Sequence, residues 1–314
     1  MILTITLNPS VDRTIVVDEL RRGAVHRATS GRVDPGGKGI NVARALSAHG
    51  IKTTAVVALG GAEGHHLAAM LEVAGIEVVG VPISGSTRSN VTVVEPDGTT
   101  TKLNEPGAAL TEAETSAVLG VVAGQAAGAE WVVLSGRLPP GADVDLYARI
   151  VHLADRAGAL AVLDTSGPAL AAGIAAGPAL VKPNAEELEE LVGRPLETVG
   201  DVVKACRDVL DAGAGQVLAS LGADGAILVG PEGVLHARGP HVHPLSSVGA
   251  GDALLAGFLA GGGRGREALA AAVAWGTAAV SLPGSRMPGP ADVHPELVVL
   301  DPDPDPARRL PAGG

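Results

Sequence analysis

Short runs of Val, Leu, Ile and Thr alternate with Ala-rich stretches of helical periodicity along most of this 314-residue chain. That rhythm limits the fold more than any other feature. The strand-like runs are 53–59, 131–134, 159–163, 180–182, 216–221 and 225–229, with helix-like runs among them at 41–48, 65–74, 145–156, 186–192 and 201–212. Strands joined through helices run parallel, and a parallel sheet needs helices over both faces. The expected fold class is therefore α/β, with three α/β/α layers around a mostly parallel central sheet. Two stretches break the rhythm, 11–33 and 84–104, the second with a turn at Pro96-Asp97-Gly98. Both read as short antiparallel strands, so a small β-lid is expected within a single domain spanning 1–300. The Asp-Pro repeats after 300 and the final Pro311-Ala312-Gly313-Gly314 predict a flexible tail over 301–314.

Hydrophobic residues make up 46% of the chain and aromatics only 1%, so the core has to be built from Ala, Val and Leu. A net charge of −11 argues against nucleic-acid and anionic-membrane partners, which want a basic surface. The single cysteine, Cys206, permits no internal disulfide and fits a reducing compartment. Residues 1–7 alternate like a strand and lack the basic start and apolar core of a signal peptide. The most apolar later stretch, 268–282, is interrupted by Gly276 and too short to span a bilayer. A soluble, cytoplasmic protein is expected.

The chemistry is concentrated in Ser247-Val248-Gly249-Ala250-Gly251-Asp252, which opens an apolar helical run over 253–260. Small residues leave the first N–H groups of a helix unobstructed, and the helix dipole adds partial positive charge there. Gly249, Ala250 and Gly251 thus form an anion hole. Asp252 cannot bind a phosphate itself, but it can take the proton of an alcohol arriving beside one. A Walker A loop is excluded, because Gly37-Lys38 is followed by Gly39 and preceded by Arg32 where the first glycine belongs. A dinucleotide fingerprint fails at Leu254, which disfavours a dehydrogenase. Further polar segments follow expected strands at 8–12, 135–139, 164–167, 182–187 and 220–225, positions that converge on one crevice in open α/β sheets.

Asn8-Pro9-Ser10-Val11-Asp12, Pro35-Gly36-Gly37-Lys38-Gly39-Ile40-Asn41-Val42-Ala43, Lys182-Pro183-Asn184 with Glu187, and Val248 to Asp252 stand in order and at fitting spacing. Together they resemble the PfkB (ribokinase-like) family of carbohydrate kinases, from the first strand to about Pro288. Asn104-Glu105-Pro106-Gly107, Trp275-Gly276-Thr277-Ala278-Ala279 and the lysine of Gly-Gly-Lys-Gly resemble its 1-phosphofructokinase and tagatose-6-phosphate kinase branch. The resemblance implies a ribokinase-like sandwich with ATP and Mg²⁺ as cofactors. It implies Asp252 as general base and the Gly249 to Gly251 backbone as the stabiliser of charge on the moving phosphoryl group.

By the same resemblance Asp12, Gly36, Gly37 and Asn41 would hold sugar hydroxyls, and Lys38, Arg88 and Arg137 the phosphate already on the sugar. Arg27 and Lys102 are further cations of these segments. Lys182, Asn184, Ser220, Gly222, Asp224 and Gly225 would line the nucleotide side, along an apolar wall at 271–279. Glu187 would organise Mg²⁺ through water. Arg137 departs from the family pattern, where many relatives have serine, and so bears on which phosphosugar fits. The implied reaction is phosphorylation of a ketohexose phosphate, foremost fructose 1-phosphate to fructose 1,6-bisphosphate. The 6-phosphofructokinase and tagatose-6-phosphate kinase reactions stand as alternatives. A non-catalytic sugar-phosphate-binding regulator is the contrasting class, against which the intact Asp252 and anion hole speak. Unpaired lid edges and Ile15, Val16, Val17, Val91, Val93 and Val94 point to a homodimer joined through the lid.

Overall fold

The computed structural model describes residues 1–311. The chain runs β1 (Ile2–Thr6), β2 (Ser10–Val16), β3 (Ser30–Gly36), α1 (Lys38–Ala48), β4 (Thr53–Leu59), α2 (Gly61–Val73), β5 (Glu77–Pro82), β6 (Arg88–Val94) and β7 (Thr100–Leu103). It continues α3 (Glu112–Ala126), β8 (Trp131–Ser135), α4 (Leu146–Arg156), β9 (Leu160–Asp164), α5 (Pro168–Ala175), β10 (Leu180–Val181), α6 (Ala185–Val192) and α7 (Val199–Asp211). It closes with β11 (Val217–Ser220), β12 (Ala226–Gly230), β13 (Gly233–Arg238), α8 (Ala250–Ala260), α9 (Gly265–Val280) and β14 (Val299–Asp301).

Ten strands form one sheet in the order β14-β13-β12-β11-β10-β9-β8-β1-β4-β5. The pairings from β5 across to β11 are parallel, and those from β11 to β14 are antiparallel. All five residues of β1 are buried, as a central strand covered on both faces requires. Its side chains alternate between two cores. Leu3 and Ile5 join Val118 and Val122 of α3, Ile150 of α4 and Val202 of α7. Ile2 joins Leu46 of α1, Phe258 of α8 and Val273 of α9 on the other face. With so few aromatic side chains, Tyr147 and Phe258 are the bulkiest fully buried groups.

β3, β2, β6 and β7 form a separate four-stranded sheet from the two stretches that broke the helical rhythm. Its outer pairs are antiparallel, as expected, but the central pair β2–β6 is parallel. The two halves enter from successive passes of the core in the same direction, which corrects the all-antiparallel expectation. Register also divides the expected apolar patch. Ile15, Val91 and Val93 share one face, while Val16 and Val94 lie on the opposite face with Asp12.

The tail expected to be flexible is docked over 301–311. Arg308 O accepts from Val199 N at 3.0 Å, Leu310 N donates to Glu197 O at 2.9 Å, and β14 pairs with β13. Proline prevents a helix here but not an extended strap anchored by its remaining backbone groups. Residues 312–314, the end of that expected tail, lie outside the described residues. Among the described residues no helix is long and apolar enough to cross a membrane.

Candidate active site

The polar ends of β1, β8, β9 and β10 and the N-termini of α1, α6 and α8 surround one crevice. Asp252 lies in the first turn of α8, only 6% exposed. Gly249 caps that helix at φ 77°, a backbone conformation that favours glycine. A Cβ there would also press on the Met287 methyl, which would have to shift. Ala250 N–H makes only a long 3.4 Å bond to Ser247 O. Lys182 Nζ lies 3.5 Å from the position a Cβ on Gly251 would take, which adds positive charge beside the helix terminus.

Asn41, on α1, donates from Nδ2 to Asp252 Oδ2 at 2.9 Å. Burial pushes the Asp252 pKa up to about 6, and the like charge of Asp164 adds to the rise. Lys38, the Asn41 bond and Lys182 oppose it. Asp164 ends β9 fully buried and is met by two ammonium groups, Lys38 at 3.0 Å and Lys182 at 3.3 Å. Burial raises its pKa, but the charges of Lys182 and Lys38 outweigh burial and hold the carboxyl below the usual range. Lys38 is held well above its ordinary pKa, chiefly by Asp164. It also reaches Glu187 Oε1 at 3.5 Å.

Asn184 and Glu187 form a capping box at the start of α6. Asn184 Oδ1 accepts from Glu187 N at 2.7 Å, and Glu187 Oε2 accepts from Asn184 N at 3.0 Å. One glutamate oxygen therefore caps the start of the helix while the other faces Lys38. Ser220 pairs with Asn184 in a parallel bridge, bringing the Ser220–Gly225 turn alongside. Gly222 and Gly225 both sit at positive φ in that turn.

On the second sheet, Asp12 Oδ1 accepts from Ser10 Oγ at 2.7 Å and Asn90 Nδ2 at 2.9 Å. A Cβ on Gly36 would collide with the Asp12 carboxylate, so these two are in close contact. Gly37 caps α1 beside them. Arg88 donates to Asn8 O at 3.1 Å and Glu105 O at 3.0 Å. Burial lowers its pKa; Asp12 opposes this, and the nearby Arg137 guanidinium reinforces it. The Arg137 loop is fixed from below, where Tyr147 Oη and Thr165 Oγ1 each donate to Gly136 O at 2.9 Å.

Lys38 is tied to Asp164 and Glu187 beside Asp252, and it also lies against Gly136, the neighbour of Arg137. One sequence expectation changes in this light. Asp224 is not open to a nucleotide, because Arg308 grips both its oxygens at 2.8 and 2.7 Å and His236 bonds its carbonyl. Sequence reasoning missed Asp164 as the hub of the lysine cluster and Asn90 as the partner of Asp12. The position of Asp164 at a strand end was its only signal.

A buried carboxylate of raised pKa beside an open helix N-terminus, backed by two lysines, defines a phosphotransferase acting on an alcohol. The chain belongs to the pfkB family of carbohydrate kinases, whose family model it matches over residues 5–292. It is 42% identical over 264 residues to a 1-phosphofructokinase of Rhodobacter capsulatus, covering 82% of each chain. It is 37% identical over 292 residues to the ATP-dependent 6-phosphofructokinase isozyme 2 of Escherichia coli, covering 91% of this chain and 94% of that one. The crystal structure of phosphofructokinase-2 from Escherichia coli in complex with substrates and products matches at a TM-score of 0.87 and 36% identity, covering 93% and 96%. The ribokinase-like α/β/α fold expected from the sequence is the fold observed.

Proposed function

We propose that this sugar kinase transfers the γ-phosphoryl group of ATP to the 6-hydroxyl of fructose 1-phosphate, giving fructose 1,6-bisphosphate. The observation that carries the reading is the Asn41–Asp252 pair at the N-terminus of α8, with a base poised near pH 6. Asp252 accepts the hydroxyl proton as the sugar oxygen attacks phosphorus. The N–H groups that open α8, with Lys38 and Lys182, stabilise charge on the phosphoryl oxygens. Asp12, Gly36, Gly37 and Asn41 hold the hydroxyls, and Arg88 and Arg137 hold the resident phosphate. The Ser220–Gly225 turn and Asn184 border the nucleotide. The second sheet acts as a lid over the sugar and as the contact of a homodimer. A cytoplasmic setting suits the buried thiol of Cys206, whose pKa burial pushes up to about 12.

The residues fit Mg²⁺. Asp164 Oδ2 is buried without a hydrogen-bond partner among the described residues, and Asp164, Glu187 and Asp252 set three carboxylates against two lysines. No group of three His, Cys, Asp or Glu among the described residues forms a ready-made cage. That suits a cation that keeps its waters and sits on substrate phosphates, with Glu187 and Asp164 as the nearby oxygens. When bound, the ion neutralises phosphate charge.

Fructose 1-phosphate is preferred because the Rhodobacter capsulatus relative is named for it. Fructose 6-phosphate is the second reading, favoured by the likeness to isozyme 2. A coupled assay with MgATP decides between them by kcat/KM for each sugar. A higher value for fructose 6-phosphate overturns the first reading.

A further inference from the structure

Behind the wall formed by Asn41 and Pro35 lies a second cleft of about 430 Å³, lined by Arg32, Asp34, Arg44, Ser47, Arg286 and Met287 among others. Its charge is unusual for a chain of net −11, since three guanidinium groups face one carboxylate. Arg32 Nε donates to Asp34 at 2.6 Å, and neither Arg44 nor Arg286 makes an ion pair among the described residues. Arg44 is half-buried and reaches only neutral acceptors, Asn41 Oδ1 at 3.2 Å and Pro35 O at 3.4 Å. Burial and the neighbouring Arg32 charge lower its pKa against the pull of Asp34 and Asp12, as expected for a cation drawn into a crowded basic cleft. Arg286 is exposed and has no ion pair among the described residues.

The backbone around the cleft is shaped to admit these side chains. Gly284 takes φ 65°, and a Cβ on it would collide with the Arg32 guanidinium. The cleft exceeds what one phosphate fills and lies within the roughly 300–1,000 Å³ of small-molecule sites. Ser47 and the Ala48, Ala74 and Met287 side chains supply a partly apolar remainder.

We propose that this cleft is a binding site for a small phosphorylated metabolite, separate from the transfer site. Guanidinium forks from Arg44 and Arg286 take the phosphate oxygens, and the walls take the carbon skeleton. The site borders the catalytic base along two routes. Arg44 bonds Asn41, which bonds Asp252, and Met287 packs on Gly249. The proposal stands whichever sugar phosphate is the substrate.

Calorimetric titration of the intact protein with inorganic phosphate and, separately, with glycerol 3-phosphate tests it, using wild type, Arg286→Ala, Arg286→Glu and Arg137→Ala. The expected result is binding weakened about tenfold in Arg286→Ala, and further in Arg286→Glu, but retained in Arg137→Ala. Basal kcat/KM of the Arg286 variants stays within about twofold of wild type, since Arg286 lies outside the transfer site. Tighter binding of the ester upholds a metabolite as ligand. Equal binding of both probes limits the site to free phosphate and overturns the metabolite. Binding unchanged in both Arg286 variants and lost in Arg137→Ala overturns the site altogether.

Discussion

Asn41 Nδ2 donates to Asp252 Oδ2 at 2.9 Å across the contact of α1 with α8, so the expected sugar-binding amide is also a partner of the expected base. Asp252→Asn keeps the shape of the side chain and removes its proton acceptance. Turnover should fall by roughly a hundred- to ten-thousandfold with an unchanged circular dichroism spectrum. Near-normal kcat in a folded Asp252→Asn protein would remove the mechanism.

The raised pKa of Asp252 gives activity a pH edge. Burial, then the charge of Asp164, moves the carboxyl to about 6, so kcat/KM should be lost as pH falls through that value. Asn41→Ala removes a bond that favours the charged form, and its edge should move to higher pH. The stability effect runs the other way. A folded pKa above the unfolded one means that this group contributes stability while protonated, and loses it as pH rises through about 6. Asp252→Asn should therefore gain in Tm relative to wild type between pH 5 and pH 8. A difference that does not change with pH would contradict burial as the cause.

Asp164 behaves oppositely, because its lysines hold its pKa down; its stabilisation is present above the usual carboxylate range and lost in acid. Asp164→Ala strands the Lys182 side chain, only 4% exposed, without its counter-charge. Breaking such a buried pair costs about 3–5 kcal/mol. The double variant Asp164→Asn with Lys182→Met should recover much of that loss in urea unfolding without recovering activity. Recovery of both would show the cluster to be structural only.

The Arg137 guanidinium lies close enough to Arg88 to add to the lowering of its pKa, and the pair is the proposed holder of the sugar phosphate. Replacing either with Ala should raise KM for the phosphosugar about ten- to hundredfold, as loss of a charge-assisted bond would, while KM for ATP stays near wild type. Lys38→Ala should instead lower kcat, since its partners are Asp164 and Glu187. A rise confined to the sugar KM in Lys38→Ala would return that residue to the phosphate subsite.

The legible parts of this protein were those written in contiguous residues. β4 was read to the residue from an unbroken β-rich run, and the turn before Asp252 from adjacent small residues. What escaped depends on long-range pairing. Lys38 and Asp164 are 126 positions apart, and Asn90 and Asp12 are 78 apart, so neither contact has a local pattern. Glu187 was singled out among neighbouring glutamates only by its motif, and the structure shows why the motif has that spacing: it is a helix cap with one oxygen left over. The docked tail was hidden for a related reason. Asp-Pro repeats read as disorder until Arg308 finds the buried carboxylate of Asp224.

The proposed homodimer rests on the second sheet. Its edge strands, β3 and β7, each pair on one side only, and Ile15 and Val91 remain half-buried in the single chain. Val17 and Val93 are already covered within the chain, so the apolar surface left over is narrower than the sequence implied. Edge strands of this kind are completed by another copy at little structural cost. Light scattering at micromolar concentration should give twice the 31.1 kDa chain mass. Ile15→Asp should shift the mass toward the monomer and raise KM for the sugar phosphate, because a lid without its partner closes less often over Asp12. Val16→Asp, on the face shared with Asp12, separates the two effects, raising KM with the mass unchanged. A wild-type monomer with normal kcat would remove both the dimer and its role in holding the lid.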